Sequence, residues 1–213
     1  MPEVFIFVID NSKSSQNGDY MPNRLLCQKD TLKALVDRKL RENVENLVGI
    51  VPLCMENYHV LTPTKNTNEI NKFILEIDLC KPTKCSIDLA LRSFVIYNKE
   101  NIDKSIMFFL GSNLEEKMLN SMIESVCRGC ENKILMRGIF FGDGIFHCEM
   151  FDQMVYGDDY SYVVVDILDD MYQSAYTVYN SDEDADDDDS EDDPELALAL
   201  RLSMEDQQRQ NKE

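Results

Sequence analysis

No apolar run in these 213 residues approaches the roughly 18 that a membrane-spanning helix needs, so a membrane is not an expected partner. The opening MPEVFIFVID has neither a basic start nor a cleavage site, and no secretory signal is expected. Basic residues are scarce: 21 Lys and Arg stand against 40 Asp and Glu, for a net charge of −19. That balance argues against nucleic acid as a partner. With two His, no Ser-His-Asp pattern and no paired carboxylates facing a cleft, catalysis is not expected. Asp143, Asp158 and Asp159 read as loop-solvating residues. Neither G-x-G-x-x-G nor a Walker sequence is present, Gly111 is isolated, and no cofactor is expected. Cysteine is odd in number (seven) and sits mostly within apolar runs, which suits a reducing compartment. Cys127-Arg-Gly-Cys130 has redox or zinc-knuckle spacing but lacks a second such pair. Cys80 with Cys85 and His147-Cys148 are the other candidates, and all of them read as buried or helix-end thiols.

What the chain does have is acid, unevenly placed. Residues 181–213 hold 14 acids and 3 bases, a net of −11, leaving −8 for residues 1–180. Ten of the twelve residues from Asp182 to Asp193 are acidic, which forbids a packed core there. Residues 181–193 therefore read as a solvated linker. Behind it, EDDPELALALRLSMED predicts a short helix over 194–210, with Asp193 suited to the N-cap and Pro194 to the first helical position. Leu196, Ala199, Leu200 and Ser203 fall within one arc of about 100°, and Leu198 and Leu202 widen it. Ala199 and Ser203 are small, so a partner can approach the helix axis closely. Glu191, Asp192, Asp193 and Glu195 lie before the stripe, Glu205 and Asp206 after it. A helix this short has no core to join, so it is expected to be bound by a compact apolar patch ringed with Lys and Arg.

An acidic cluster, then Leu196, Ala199, Ser203 and Asp206 at these intervals, resembles a ubiquitin-interacting motif. The resemblance implies ubiquitin as the partner. Only one such motif is present, so grip on a polyubiquitin chain is expected to come from several receptors on one particle through effective concentration. Fourteen steps separate Asn180 from Pro194, at most about 50 Å when extended, and charge repulsion favours extension.

The first 180 residues alternate strand and helix. Val4–Ile9 is a continuous apolar run, and Leu25, Leu32, Leu35, Val36 and Leu40 recur at helical spacing through 24–41. Strands are expected at Leu47–Leu53, Tyr58–Leu61 (an edge hairpin partner), Ile106–Leu110, Ile134–Phe141 and Tyr162–Ile167. Helices are expected around Ile70–Ile74, over 85–98, through Met118–Val126, and near 147–156. Apolar strands separated by amphipathic helices predict an α/β fold: a doubly wound, Rossmann-like, mostly parallel sheet with helices on both faces. Its ligand-bearing edge would bring the loop Asp10–Asn17 to the loop Gly111–Leu114.

In that first loop, Asp10-Asn11-Ser12-Lys13-Ser14 resembles the metal-ion-dependent adhesion loop of von Willebrand factor type A domains, where one carboxylate and two hydroxyls hold a Mg²⁺-class ion. The supporting positions read Lys84-Cys85-Ser86 and Gly111-Ser112-Asn113, without the expected Thr and Asp, and Lys13 adds positive charge. Asp10, Ser12 and Ser14 are accordingly read as a vestigial site kept for loop shape, with Asp10 as a turn former or protein contact. The stretches VFIFVIDNS, NGDYMPNR, NVENLVGIVPL and DPELALALRLSMEDQQRQ together resemble the ubiquitin-receptor subunits of the proteasome regulatory particle. That family implies a type A domain over 1–180, docking on regulatory-particle subunits with Asp10, Asn11 and Ser12 as candidate docking residues, capture of polyubiquitin without catalysis, and residence in cytoplasm and nucleus. Alternatives are a ubiquitin-binding scaffold with a metal-dependent adhesion module, or a trafficking adaptor.

Overall fold

The computed structural model describes residues 1–54, 59–81, 86–97 and 101–180. The predicted linker (181–193) and motif helix (194–210) lie outside the described residues.

Six strands form one sheet in the order β3-β2-β1-β4-β5-β6. They are β1 (Glu3–Ile9), β2 (Leu47–Pro52), β3 (Leu61–Thr64), β4 (Asp103–Leu110), β5 (Leu135–Phe141) and β6 (Tyr160–Val165). All neighbours run parallel except β2 and β3. The chain moves outward from β1 through β2 to β3, then returns to lay β4 on the other side of β1. The switch point therefore lies between β1 and β4, beyond their carboxyl ends. The helices are α1 (Arg24–Glu42), α2 (Thr67–Glu76), α3 (Ile87–Ser93), α4 (Glu116–Glu131), α5 (Cys148–Met154) and α6 (Met171–Tyr179).

Strand alternation explains the two cores. β1 sends Phe5, Phe7 and Ile9 to one face, where they pack with Leu32, Leu35, Ile74 and Phe141 among α1, α2 and α6. It sends Val4, Ile6 and Val8 to the other, against Met122, Phe140 and Phe151 among α3, α4 and α5. Both faces being covered, β1 is apolar throughout after Glu3. α1 begins where the Asn23 side chain accepts the Leu26 N–H at 2.9 Å, and its last turn carries Lys39 and Arg41, which suit the negative end of the helix.

Several expected boundaries move. The third strand is Leu61–Thr64, so of the expected Tyr58–Leu61 it keeps Leu61, while Tyr58 lies outside the described residues; Leu61 faces Ile50, and Pro63 is tolerated because β3 is an edge. The last strand is Tyr160–Val165 rather than Tyr162–Ile167. Its register with β5 starts at Tyr160, and the chain turns at Asp166, whose N–H donates to Asp169 Oδ2 at 3.0 Å. The helix expected over 85–98 ends as an α-helix at Ser93 and tightens into a 3₁₀ turn, Phe94–Tyr97. That change of period throws Val95 off the stripe, to 74% exposure. α6 was not anticipated, although Met171, Ala175, Val178 and Tyr179 mark a buried stripe and Asp170 Oδ1 caps the Gln173 N–H at 2.9 Å.

Candidate functional site

Asp10 follows directly on β1 and is fully buried. Its Oδ1 accepts the Ser12 N–H at 2.9 Å, closing a tight turn on itself, and its Oδ2 accepts the Gly111 N–H, also at 2.9 Å, from the end of β4. Gln28 of α1 pairs with both backbone groups of Asp10: its Oε1 accepts the Asp10 N–H and its Nε2 donates to the Asp10 carbonyl. The Ser15 hydroxyl donates to that carbonyl at 2.7 Å. Asn11 reaches the other way, accepting the Cys54 N–H at 2.8 Å and donating to the Asp78 carbonyl at 2.9 Å. Ser12 bridges to Cys80 and shares a hydrogen bond with Ser14 through their hydroxyls at 2.8 Å. The structure thus brings together Asp10, Ser12, Ser14 and Gly111, and the two loops meet as the expected sheet topology requires. Asp10, Asn11 and Ser12 lie beneath the surface, and Lys13, Gln16 and Asn17 form the skin above them.

A second network seals the same end of the sheet. Arg24 is 3% exposed. Its guanidinium donates to both carboxylate oxygens of Asp19, to the Gly111 carbonyl at 2.6 Å and to Asp143 Oδ2 at 2.8 Å. It so ties the loops after β1, β4 and β5 with one fork. The Arg24 guanidinium holds the Asp19 carboxyl below its usual range, and the carboxylates raise Arg24 in turn. Asp143, expected to be loop solvation, is instead one leg of this pairing; Asp158 is solvent-exposed as expected. Tyr20 adds a third tie, donating to the Val165 carbonyl at 2.8 Å and accepting the Gly142 N–H at 3.0 Å. Gly142 has a φ of +52°, and a Cβ there would run into the Arg24 guanidinium. Arg24, Gln28 and Tyr20 were missed from sequence. One signal existed: an arginine opening a helix faces the positive end of the dipole, a local conflict that only a tertiary partner resolves.

A model of the von Willebrand factor type A domain matches residues 5–113. The chain belongs to that family. Among curated relatives, it is 30% identical over 146 residues to the 26S proteasome non-ATPase regulatory subunit 4 of Caenorhabditis elegans, covering 66% of this chain and 41% of the relative. It is 27% identical over 144 residues to the 26S proteasome regulatory subunit rpn10 of Schizosaccharomyces pombe, covering 66% and 59%. The match thus spans less than two thirds of each relative's length. Among solved structures, the SpRpn10 VWA domain superposes with a TM-score of 0.67 at 23% identity, covering 81% of this chain and 93% of that one. The TFIIH p34 N-terminal domain does so at 0.60 and 13%, covering 84% and 96%. At these identities the structures share the fold.

The type A fold implies a divalent cation at the β1 loop, and the donors here fit one poorly. They comprise one carboxylate, with each oxygen already accepting a backbone N–H, and two hydroxyls that bond each other. The Arg24 guanidinium holds the adjoining Gly111 carbonyl, placing positive charge in the same loops. Ser112 and Ser86 contribute buried hydroxyls but no charge. Among the described residues, no group of His, Cys, Asp and Glu could hold a metal ion. Burial pushes the Cys130 and Cys148 thiols up to about 11 each, so both stay protonated near neutrality. His147, beside Cys148, is buried, and its Nε2 accepts the Leu114 N–H at 2.9 Å.

Proposed function

We propose that this chain is a non-catalytic subunit of the proteasome regulatory particle, present in cytoplasm and nucleus. It docks by its type A domain and captures polyubiquitinated proteins through the helix of residues 194–210. The observation that carries this reading is the similarity of two thirds of the chain to 26S proteasome regulatory subunits, which accompanies a tail with ubiquitin-interacting spacing. The sealed loop cluster supports a docking module over a metal-dependent one, because an internal guanidinium already organises the loops that a bound ion would organise.

The capture step is weak and fast. One short helical face buries far less than the roughly 1,200 Å² of a stable interface, and part of its binding energy is spent ordering the helix. Leu196 and Leu200 are its apolar anchors, Ala199 and Ser203 its points of close approach, and Glu191 to Asp193, Glu195 and Asp206 its charge match for a basic rim. Asp10, Asn11 and Ser12 are buried, so they serve docking by holding the shape of the sheet's carboxyl end rather than by touching the partner. Two measurements test the reading separately. Chemical-shift titration of labelled ubiquitin with the intact chain should show saturable changes that vanish in Leu200→Ala and Ala199→Arg. Co-purification with proteasome subunits should persist when residues 194–213 are deleted. Absence of the first refutes capture, and absence of the second refutes docking by the type A domain.

A further inference from the structure

We infer that the groove between the Asp19–Met21 loop, α1 and the β6–α6 turn is the surface by which the type A domain grips a partner, and that the occupant is an apolar segment carrying a lysine or arginine. The inference rests on the docking reading above and names the chemistry of the partner. The groove has a volume of about 420 Å³, within the range of ligand clefts (roughly 300–1,000 Å³). Its apolar lip is out of place in water: Met21 is 81% exposed, Ile167 57%, and Leu168, next in the turn, 97%. Exposed apolar side chains gathered at one cleft mark an interaction surface.

The charge around that lip selects the occupant. Asp30 stands on the α1 wall, and Asp169 and Asp170 on the opposite one. Asp19 is neutralised by Arg24, and among the described residues Asp30 pairs with Lys33 alone, at 3.2 Å. Among the described residues Asp169 and Asp170 enter no ion pair; each instead caps backbone, Asp169 the Asp166 N–H and Asp170 the Gln173 N–H. The walls converge on the floor, where the half-buried Cys27 thiol is pushed up first by burial and then by Asp170 and Asp30. A second copy of this chain would bring the same carboxylates face to face. Residues 181–213, at a net of −11, would be repelled as well. A cationic side chain flanked by aliphatic ones satisfies both lip and walls.

The test uses the intact 213-residue chain, with purified regulatory particle depleted of its own corresponding subunit as the probe. Two variants perturb the groove without touching its supports: Asp169→Asn/Asp170→Asn keeps the capping oxygens, and Leu168→Ser removes only an exposed side chain. Each should weaken binding to the particle roughly tenfold, binding of the unmodified chain should fall with salt, and iodoacetamide labelling of Cys27 should slow on assembly. Unchanged thermal unfolding and unchanged ubiquitin titration in both variants show that fold and tail are intact. If the unmodified chain binds and both variants bind equally well, the groove assignment is wrong while docking stands. If the unmodified chain does not bind, the docking reading falls and this one with it. Self-association of the free chain that both variants abolish would make a second copy the occupant and overturn the proposal.

Discussion

Two neighbouring parts of the carboxyl end of the sheet are built in opposite ways. At the β1–β4 switch point, a carboxylate, an amide and a guanidinium are taken out of water and nearly every one of their polar atoms is paired. At the β6–α6 turn, leucine and isoleucine stand in water beside Asp169 and Asp170, which enter no ion pair among the described residues. The first arrangement is stable because its carboxylate, amide and guanidinium are paired, since an unpaired buried polar group costs about 1–3 kcal/mol; the buried Ser86 and Ser112 hydroxyls beside it have no partner among the described residues. The second has interaction capacity to spare. In this type A domain, the loop that sequence resemblance singles out is buried scaffold, and the turn that no motif marks carries the exposed apolar side chains.

The comparison is sharpened most by Arg24→Ala, which orphans the Gly111 carbonyl and leaves Asp19 and Asp143 without their cation. Urea denaturation should show a loss of about 3 kcal/mol, at the lower end for broken buried pairs because both carboxylates keep some water. Arg24→Lys should recover only part of it, as an ammonium cannot reproduce the fork. Next is Asp10→Ala, which strips an acceptor from both the Ser12 and Gly111 N–H groups and should cost about 2 kcal/mol in the same assay. A Mg²⁺ titration followed by thermal unfolding should leave the unmodified chain's Tm in place; a rise that Asp10→Ala abolishes would reinstate a metal-dependent module.

Acidification should act on the sealed side as well, more gently. Burial lowers the pKa of His147 below its ordinary 6.5, so the unfolded chain binds a proton before the folded one does. Stability should therefore be flat above about pH 7 and decline as pH falls through 6.5, with the slope reduced in His147→Gln. The smallest effect belongs to the open side: Leu168→Ser should change stability by less than about 0.5 kcal/mol, since the side chain is 97% exposed. A larger loss would mean the turn is part of the scaffold after all, and the contrast would collapse.

The same contrast explains what could be read from residues alone. Strands β1, β2, β4 and β5 were legible because both faces are covered, so each carries a largely apolar stretch, broken in β5 by Arg137 and preceded in β4 by Asp103-Lys104-Ser105. The meeting of Asp10 with the loop after β4 followed from topology. The edges were less legible: β3 and β6 are half-exposed, so their boundaries rest on pairing register and turns rather than on hydrophobicity. α3 lost its last turn because a 3₁₀ segment changes the period that the apolar spacing presumes. The Arg24 network was illegible for a different reason. Its members lie 5, 87 and 119 positions from Arg24, and nothing local ties a charged side chain to a carbonyl that far away.

One consequence of the sheet order concerns time rather than space. β1 is hydrogen-bonded on both sides and packed on both faces, so its amide protons are expected to exchange only when the entire domain comes apart. Asp10 is the next residue along. The loop it organises is thus anchored to the last segment to loosen, and whatever settles on the rim above it meets a foundation that does not breathe.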